Sequence, residues 1–128
     1  VVNPQQVEGQ IEGGIVMGLG HALMEEYIQQ NGQVTTPGFA KYILPTSVDI
    51  PNIHSVLITE PDPITPLGVK GIGEPCITPT APAIINAIYD AVGVRITSLP
   101  ATPEKVLAGI VKKRTTVNPV LEEMSEIN

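Results

Sequence analysis

The sequence predicts an α+β fold: a glycine-rich helix, a small sheet of short strands, a long proline- and glycine-rich loop and two further helices. Three observations carry that reading. Apolar residues recur at helical spacing in three separate stretches. Short runs rich in β-branched residues lie between them. The stretch from Glu60 to Pro82 holds too many prolines and glycines for regular structure, yet interleaves Ile64, Leu67, Val69, Ile72 and Ile77. A loop of that length is expected to be functional or packed against something.

Each element has its own signals. Asn3-Pro4 opens the first helix, with Asn3 as N-cap and Pro4 at the first helical position. Val7, Ile11, Ile15, Leu19 and Leu23 follow along one face. A second row, Gly9, Gly13 or Gly14, Gly18 and Ala22, is almost bare of side chain. Five glycines between Gly9 and Gly20 cost roughly 4–5 kcal/mol relative to alanine. The bare row therefore implies close approach by another backbone or by a ligand. Glu25, Glu26, Gln29 and Gln30 form a polar exit, and Asn31-Gly32 a turn.

Gln33 to Thr36 reads as a short strand, broken by Pro37-Gly38, and Phe39 to Leu44 as a second extended stretch. Pro45 to Pro51 is a loop. Ile53 to Thr59 is a β-rich strand, with His54, Val56 and Ile58 alternating with Ser55, Leu57 and Thr59. The second helix is capped by Thr78 or Thr80, carries Ala81, Ile84, Ile85, Ile88 and Val92, and ends at Gly93. Val94 to Thr97 is a further short strand. Thr102-Pro103-Glu104 opens the third helix, which closes on Lys112-Lys113-Arg114, where cations favour the helix dipole. These elements give one domain over residues 1–114; residues 115–128 have no clear period and read as a poorly ordered tail.

Composition narrows the function. The 128 residues carry a net charge of -6, with only seven basic residues. That is not the footprint of a nucleic-acid binder. No apolar run approaches the roughly 20 residues a membrane helix needs, and the first residues do not read as a secretion signal. A single cysteine, Cys76, excludes an intrachain disulfide and suggests a reducing, cytoplasmic setting. Aromatic residues are only 3%, with no Trp, although cores of this size lean on aromatic area. That shortage, with the lack of an initiating Met, leads us to expect a piece of a larger protein whose other parts cover some of this surface.

Among residues able to carry chemistry, Glu74 stands out. It lies in Gly71-Ile72-Gly73-Glu74-Pro75, after Lys70. The glycines permit unusual backbone angles and close approach of a bound group, and Pro75 holds Glu74 extended. Desolvation among apolar neighbours would suit such a carboxylate to general-base work; a solvated surface glutamate is the alternative. Lys70 with Gly-x-Gly lacks the phosphate-loop spacing, and Gly18-Leu19-Gly20 lacks the third glycine of a dinucleotide fingerprint. Gln10 lies beside the bare row, where its amide can meet a polar ligand; an exposed helical Gln is the plainer reading. His21 and Glu25 share a helix face, but no third ligand completes a metal site. Cys76 reads as a small packing residue.

Three ordered segments carry a family resemblance. Asn3-Pro4 through Gly9-Gln10-Ile11-Glu12-Gly13-Gly14, Gly18-Leu19-Gly20 and Glu25-Glu26 resembles the glycine-rich helix of the molybdenum hydroxylases, the xanthine dehydrogenase and aldehyde oxidase family, in its large subunit. Lys70 to Pro75, followed by Ala81-Pro82-Ala83-Ile84 and Asn86 to Ala91, resembles that family's active-site loop and following helix. Gly93 to Ile96 and Leu99 to Leu107 resemble its closing segment. The resemblance runs in order from about Val1 to Ile110. Cys76 stands where many relatives have a second proline, and the tail after Lys113 resembles nothing in the family.

The resemblance implies the C-terminal part of the molybdenum-binding subunit. That subunit hydroxylates a carbon of an N-heterocycle (purine-like) or an aldehyde, with oxygen from water. By motif position Glu74 is the general base on Mo–OH, with hydride passing to Mo=S. Gln10 hydrogen-bonds the molybdenum–pterin cofactor, for which bacterial-style relatives often use a cytosine dinucleotide form. Gly71, Ile72 and Gly73 pack near the cofactor, and no residue of this chain ligates the metal. The resemblance places [2Fe-2S] clusters and FAD in partner domains or subunits of an oligomeric holoenzyme. The remainder of the subunit and a small-molecule substrate are the other partners, and the chain alone is expected to be inactive. The rival reading is a non-catalytic binding or assembly module derived from the same family. A generic ligand binder, by contrast, predicts Gln10 and Glu74 on different surfaces.

Overall fold

The computed structural model describes residues 1–117. Helix α1 spans Pro4–Leu23, α2 Thr80–Val92 and α3 Pro103–Val117. Strands β1 (Gln29–Gln30) and β2 (Gln33–Val34) form one antiparallel pair, and a 3-10 turn covers Pro66–Gly68. Three helices with a minimal sheet keep the α+β class, while the sheet is smaller than the sequence predicts.

The first helix starts as its sequence dictates. Asn3 is extended, and its Oδ1 accepts the Gln6 N–H at 3.1 Å. At the other end the N–H groups of Met24 and Glu25 both donate to Gly20 O, at 2.9 and 2.8 Å.

The hairpin pairs Gln29 with Val34 and Gln30 with Gln33. Asn31 and Gly32 both have positive φ, 52° and 77°, as the tight turn that suits right-twisted strands requires. The polar exit from α1 thus becomes a strand, because the Asn-Gly turn folds it onto Gln33-Val34. Thr36 then pins the hairpin base, its hydroxyl accepting the Ile28 N–H at 3.1 Å.

The other expected strands do not form. In Phe39 to Leu44 the chain turns, with the Lys41 and Tyr42 N–H groups both on Gly38 O at 2.9 Å. Ile53 to Thr59 and Val94 to Thr97 have no ladder partner among the described residues. Propensity cannot make a strand without a second edge to take its N–H and C=O groups.

Neither threonine caps α2. Pro79 occupies the N-cap position, and the Thr80 hydroxyl donates backward to Cys76 O at 3.2 Å. Gly93 closes the helix in the left-handed region, its N–H on Tyr89 O at 2.7 Å. Thr102 does cap α3, accepting the Lys105 N–H at 3.4 Å. That helix continues to Val117, three residues into the expected tail. The hydroxyls of Thr115 and Thr116 donate to Val111 O and Lys112 O at 3.0 and 2.9 Å and so leave the helix ladder intact. The rest of the expected tail, residues 118–128, lies outside the described residues.

The helices meet through small residues. Ala22 is fully buried, and its carbonyl accepts the Ala101 N–H at 2.6 Å, tying the entry to α3 onto the end of α1. Val94 fills the space over Gly109 of α3. Among the described residues no large side chain is fully buried, while Phe39, Val48, Val56, Ile58, Ile64 and Leu67 are exposed. Such a distribution fits an apolar surface that other polypeptide covers.

Candidate functional site

The bare row of α1 divides into two halves. A β-carbon built on Gly14 would lie 2.6 Å from Cys76 Cβ, and one on Gly18 would lie 2.5 Å from Thr80 Cβ and 3.2 Å from Ile77 O. Residues Cys76–Thr80 therefore lie directly on the helix, which supplies the backbone approach that the glycines imply. Gly9 and Gly13 have nothing within 4 Å of where a β-carbon would sit. Between these two lies exposed Gln10. It shares a face with Gly14, one helical turn (about 5.4 Å) nearer the N-terminus.

Glu74 enters a run of turns that leads into α2. Its carbonyl accepts the Ile77 N–H at 3.1 Å, and Ile77 O accepts the Thr80 N–H at 3.2 Å. The thiol of Cys76 reaches Ile72 O at 3.5 Å. Half-buried Cys76 thus acts as the packing residue its sequence context suggests, clamping the loop to Gly14 two residues after Glu74.

Two expectations for this loop need correction. Neither Gly71 nor Gly73 has positive φ. Their use is spatial, since nothing lies within 4 Å of either β-carbon position. Nor is Glu74 enclosed by apolar neighbours. It is exposed and lines an open depression of about 720 Å³ with Pro75, Thr78, Pro79 and Pro82. Gly73 and Pro75, which flank it in sequence, are exposed as well.

Open β-carbon positions at Gly9, Gly13, Gly71 and Gly73 are cradles that side chains would otherwise fill. They lie beside Gln10 on one element and Glu74 on the other. Residues of this kind fit a bulky flat ligand held by an amide and approached by a carboxylate.

The remaining candidates lie apart from this arrangement. Lys70 is exposed and makes no salt bridge among the described residues. His21 Nε2 lies 3.7 Å from Glu25 Oε2, which also accepts the Tyr42 hydroxyl at 2.7 Å. That hydrogen bond raises the Tyr42 pKa above its ordinary value. Sequence reasoning missed this tie, because Tyr42 and Glu25 are joined only by the way the chain turns after Gly38. Among the described residues no three potential ligands cluster around a metal site. An apolar groove of about 480 Å³ also escaped sequence reasoning. Ile11, Ile15 and Leu19 of α1 face Ala83 and Ile84 of α2 across it.

Comparison with known proteins gives a consistent picture. The family model for the molybdopterin cofactor-binding domain matches residues 1–51. The xanthine dehydrogenase molybdenum-binding subunit of Escherichia coli O157:H7 is 41% identical over 118 residues, covering 87% of this chain and 16% of that protein. The nicotine 6-hydroxylase large subunit of Paenarthrobacter nicotinovorans is 40% identical over 111 residues, covering 84% and 14%. The crystal structure of quinoline 2-oxidoreductase from Pseudomonas putida 86 superposes with a TM-score of 0.81 at 36% identity, covering 86% of this chain and 14% of that one. The chain thus spans about one sixth of the length of the curated relatives it matches.

Proposed function

Because the chain belongs to the molybdenum hydroxylase family of xanthine dehydrogenase and aldehyde oxidoreductase molybdenum-binding subunits, we propose that it contributes Gln10 and Glu74 to a site that hydroxylates a carbon of an N-heterocycle or an aldehyde with oxygen from water. When bound, the molybdenum–pterin cofactor supplies the two-electron acceptor for that oxidation.

The chain's own residues do the rest. The Gln10 amide hydrogen-bonds the cofactor over the open stretch at Gly9 and Gly13. The backbone of Gly71, Ile72 and Gly73 packs beside it, with no side chain at the glycines to hold it off. A Glu74 carboxylate oxygen takes up the proton released as the water-derived oxygen adds to the substrate carbon. In the complete subunit the rest of the polypeptide closes the site and shields that carboxylate from bulk water. Iron–sulfur and FAD domains or subunits carry electrons onward in an oligomeric cytoplasmic complex. No helix among the described residues is long and apolar enough to cross a membrane.

One observation carries the reading: the loop bearing Glu74 is seated on α1 through Cys76 and Gly14, one turn from Gln10. The test is Glu74→Gln in the complete molybdenum-binding subunit assembled with its partners. Turnover falls by about 10²–10⁴-fold, the usual share of a general base, while molybdenum content stays unchanged. Near-normal turnover overturns the role. The exposure of Glu74 in this chain favours a second reading, a non-catalytic assembly module, which the same result would support.

A further inference from the structure

Residues Ile53–Thr59 run between Pro51 and Pro61 without joining any element. Their burial alternates as in a strand: Ile53, Ser55 and Leu57 are half-buried, while His54, Val56 and Ile58 are exposed. Val56 is 83% and Ile58 92% exposed. No backbone hydrogen bond joins any of these seven residues to another described residue. The length is that of an ordinary strand, and no proline interrupts it.

An edge meant to face water is blunted by lysines, prolines, bulges or inward-pointing charges. This one has neither lysine nor arginine and presents β-branched side chains. The Ser55 hydroxyl is in addition buried without a hydrogen-bond partner among the described residues. Pro51, just ahead of the segment, lines the apolar groove between α1 and α2. The extended segment thus starts two residues beyond the groove's lining.

We infer that Ile53–Thr59 is the docking edge for a β-strand from the rest of the molybdenum-binding polypeptide, a strand that presents apolar side chains to Val56 and Ile58. The inference rests on the reading of this chain as part of such a subunit. In the curated relatives the matching stretch is only 14–16% of the protein, so most of the polypeptide is available to supply that strand. Backbone pairing gives the contact its strength, and alternate side chains set the register.

Amide hydrogen exchange on the complete subunit tests the edge. Amides within residues 53–59 exchange at least about 100-fold more slowly than in an unstructured peptide of the same sequence, with and without molybdenum. Val56→Pro removes a ladder donor and abolishes protection at its neighbours, whereas Val56→Thr keeps it. Exchange at peptide rates in the folded subunit overturns the inference. So does protection that vanishes on dilution as a dimer dissociates, which would assign the edge to a second copy. Molybdenum content is measured on the same samples: a protected edge in a subunit that takes up no molybdenum overturns the functional reading and leaves the docking edge standing.

Discussion

Gly14 and Cys76 touch so closely that a β-carbon on Gly14 would lie 2.6 Å from Cys76 Cβ and 3.1 Å from its carbonyl carbon. Neither of those atoms is the free end of a flexible side chain. Alanine at position 14 gains about 1 kcal/mol of helix propensity but overpacks a rigid contact, at about 1–3 kcal/mol. Gly13 has nothing within 4 Å. We therefore expect Gly14→Ala to lower the melting temperature of the cofactor-free subunit and to displace the Glu74 loop, with a loss of turnover. Gly13→Ala raises the melting temperature and lowers molybdenum content, because its methyl group enters the proposed cradle. Equal stabilities for the two variants would remove the helix–loop contact from the explanation.

Legibility in the sequence followed the range of the interactions. The start of α1 was readable because Asn3 and Pro4 act within one turn, and the end of α2 because Gly93 readily takes the left-handed backbone that ends it. The glycine row implied a neighbour but could not say which. Only the fold shows that Cys76–Thr80 covers Gly14 and Gly18 and leaves Gly9 and Gly13 open. At Ile53 the sequence shows the propensity and not the pairing, since β-propensity describes a side chain's fit to a pleated surface, and the partner that completes that surface is not among the described residues. The exposure of Glu74 was equally illegible: composition near it is apolar, but the depression that it lines with Pro75, Pro79 and Pro82 is open.

Acid sensitivity should come from two carboxylates away from the site. The Thr46 hydroxyl and N–H both donate to Asp49 Oδ2, at 2.7 and 2.8 Å, and hold the Asp49 pKa below its ordinary 3.8. Glu104 is held below its ordinary 4.5 by its own N–H and the Thr102 hydroxyl. A carboxylate with a lowered folded pKa contributes stability above its unfolded pKa and loses it as pH falls through the folded value. Melting curves recorded downward from pH 5 should decline, and Asp49→Asn with Glu104→Gln should flatten that decline. An unchanged acid slope in the double variant would show that these hydrogen bonds do not set it.

Gly93 has φ 65°, and a β-carbon there would meet the Lys113 ammonium, which donates to Val92 O at 3.1 Å. The ammonium can move aside, so the backbone sets the cost. Gly93→Ala should lose about 1–2 kcal/mol, the penalty of a β-carbon in the left-handed region. Gly93→Asn should lose less, since asparagine tolerates that conformation. Urea denaturation of the complete subunit measures both, and a larger loss for Asn than for Ala would point to side-chain crowding instead.

Gln10 offers the sharpest separation of site from scaffold. It is exposed, and no side-chain hydrogen bond joins it to any described residue. Glutamine and alanine differ little in helix propensity, so Gln10→Ala should leave the unfolding free energy of the cofactor-free subunit within about 0.5 kcal/mol of the parent. If its amide holds the cofactor, the same variant releases molybdenum during purification. Gln10→Glu, which keeps an acceptor and loses the amide donors, fails in the same way. Glu12→Ala, on another face of the same exposed stretch, serves as the control and keeps its molybdenum. Full molybdenum content in both Gln10 variants would reduce that residue to a solvated helix position and leave the glycine row to hold the cofactor without it.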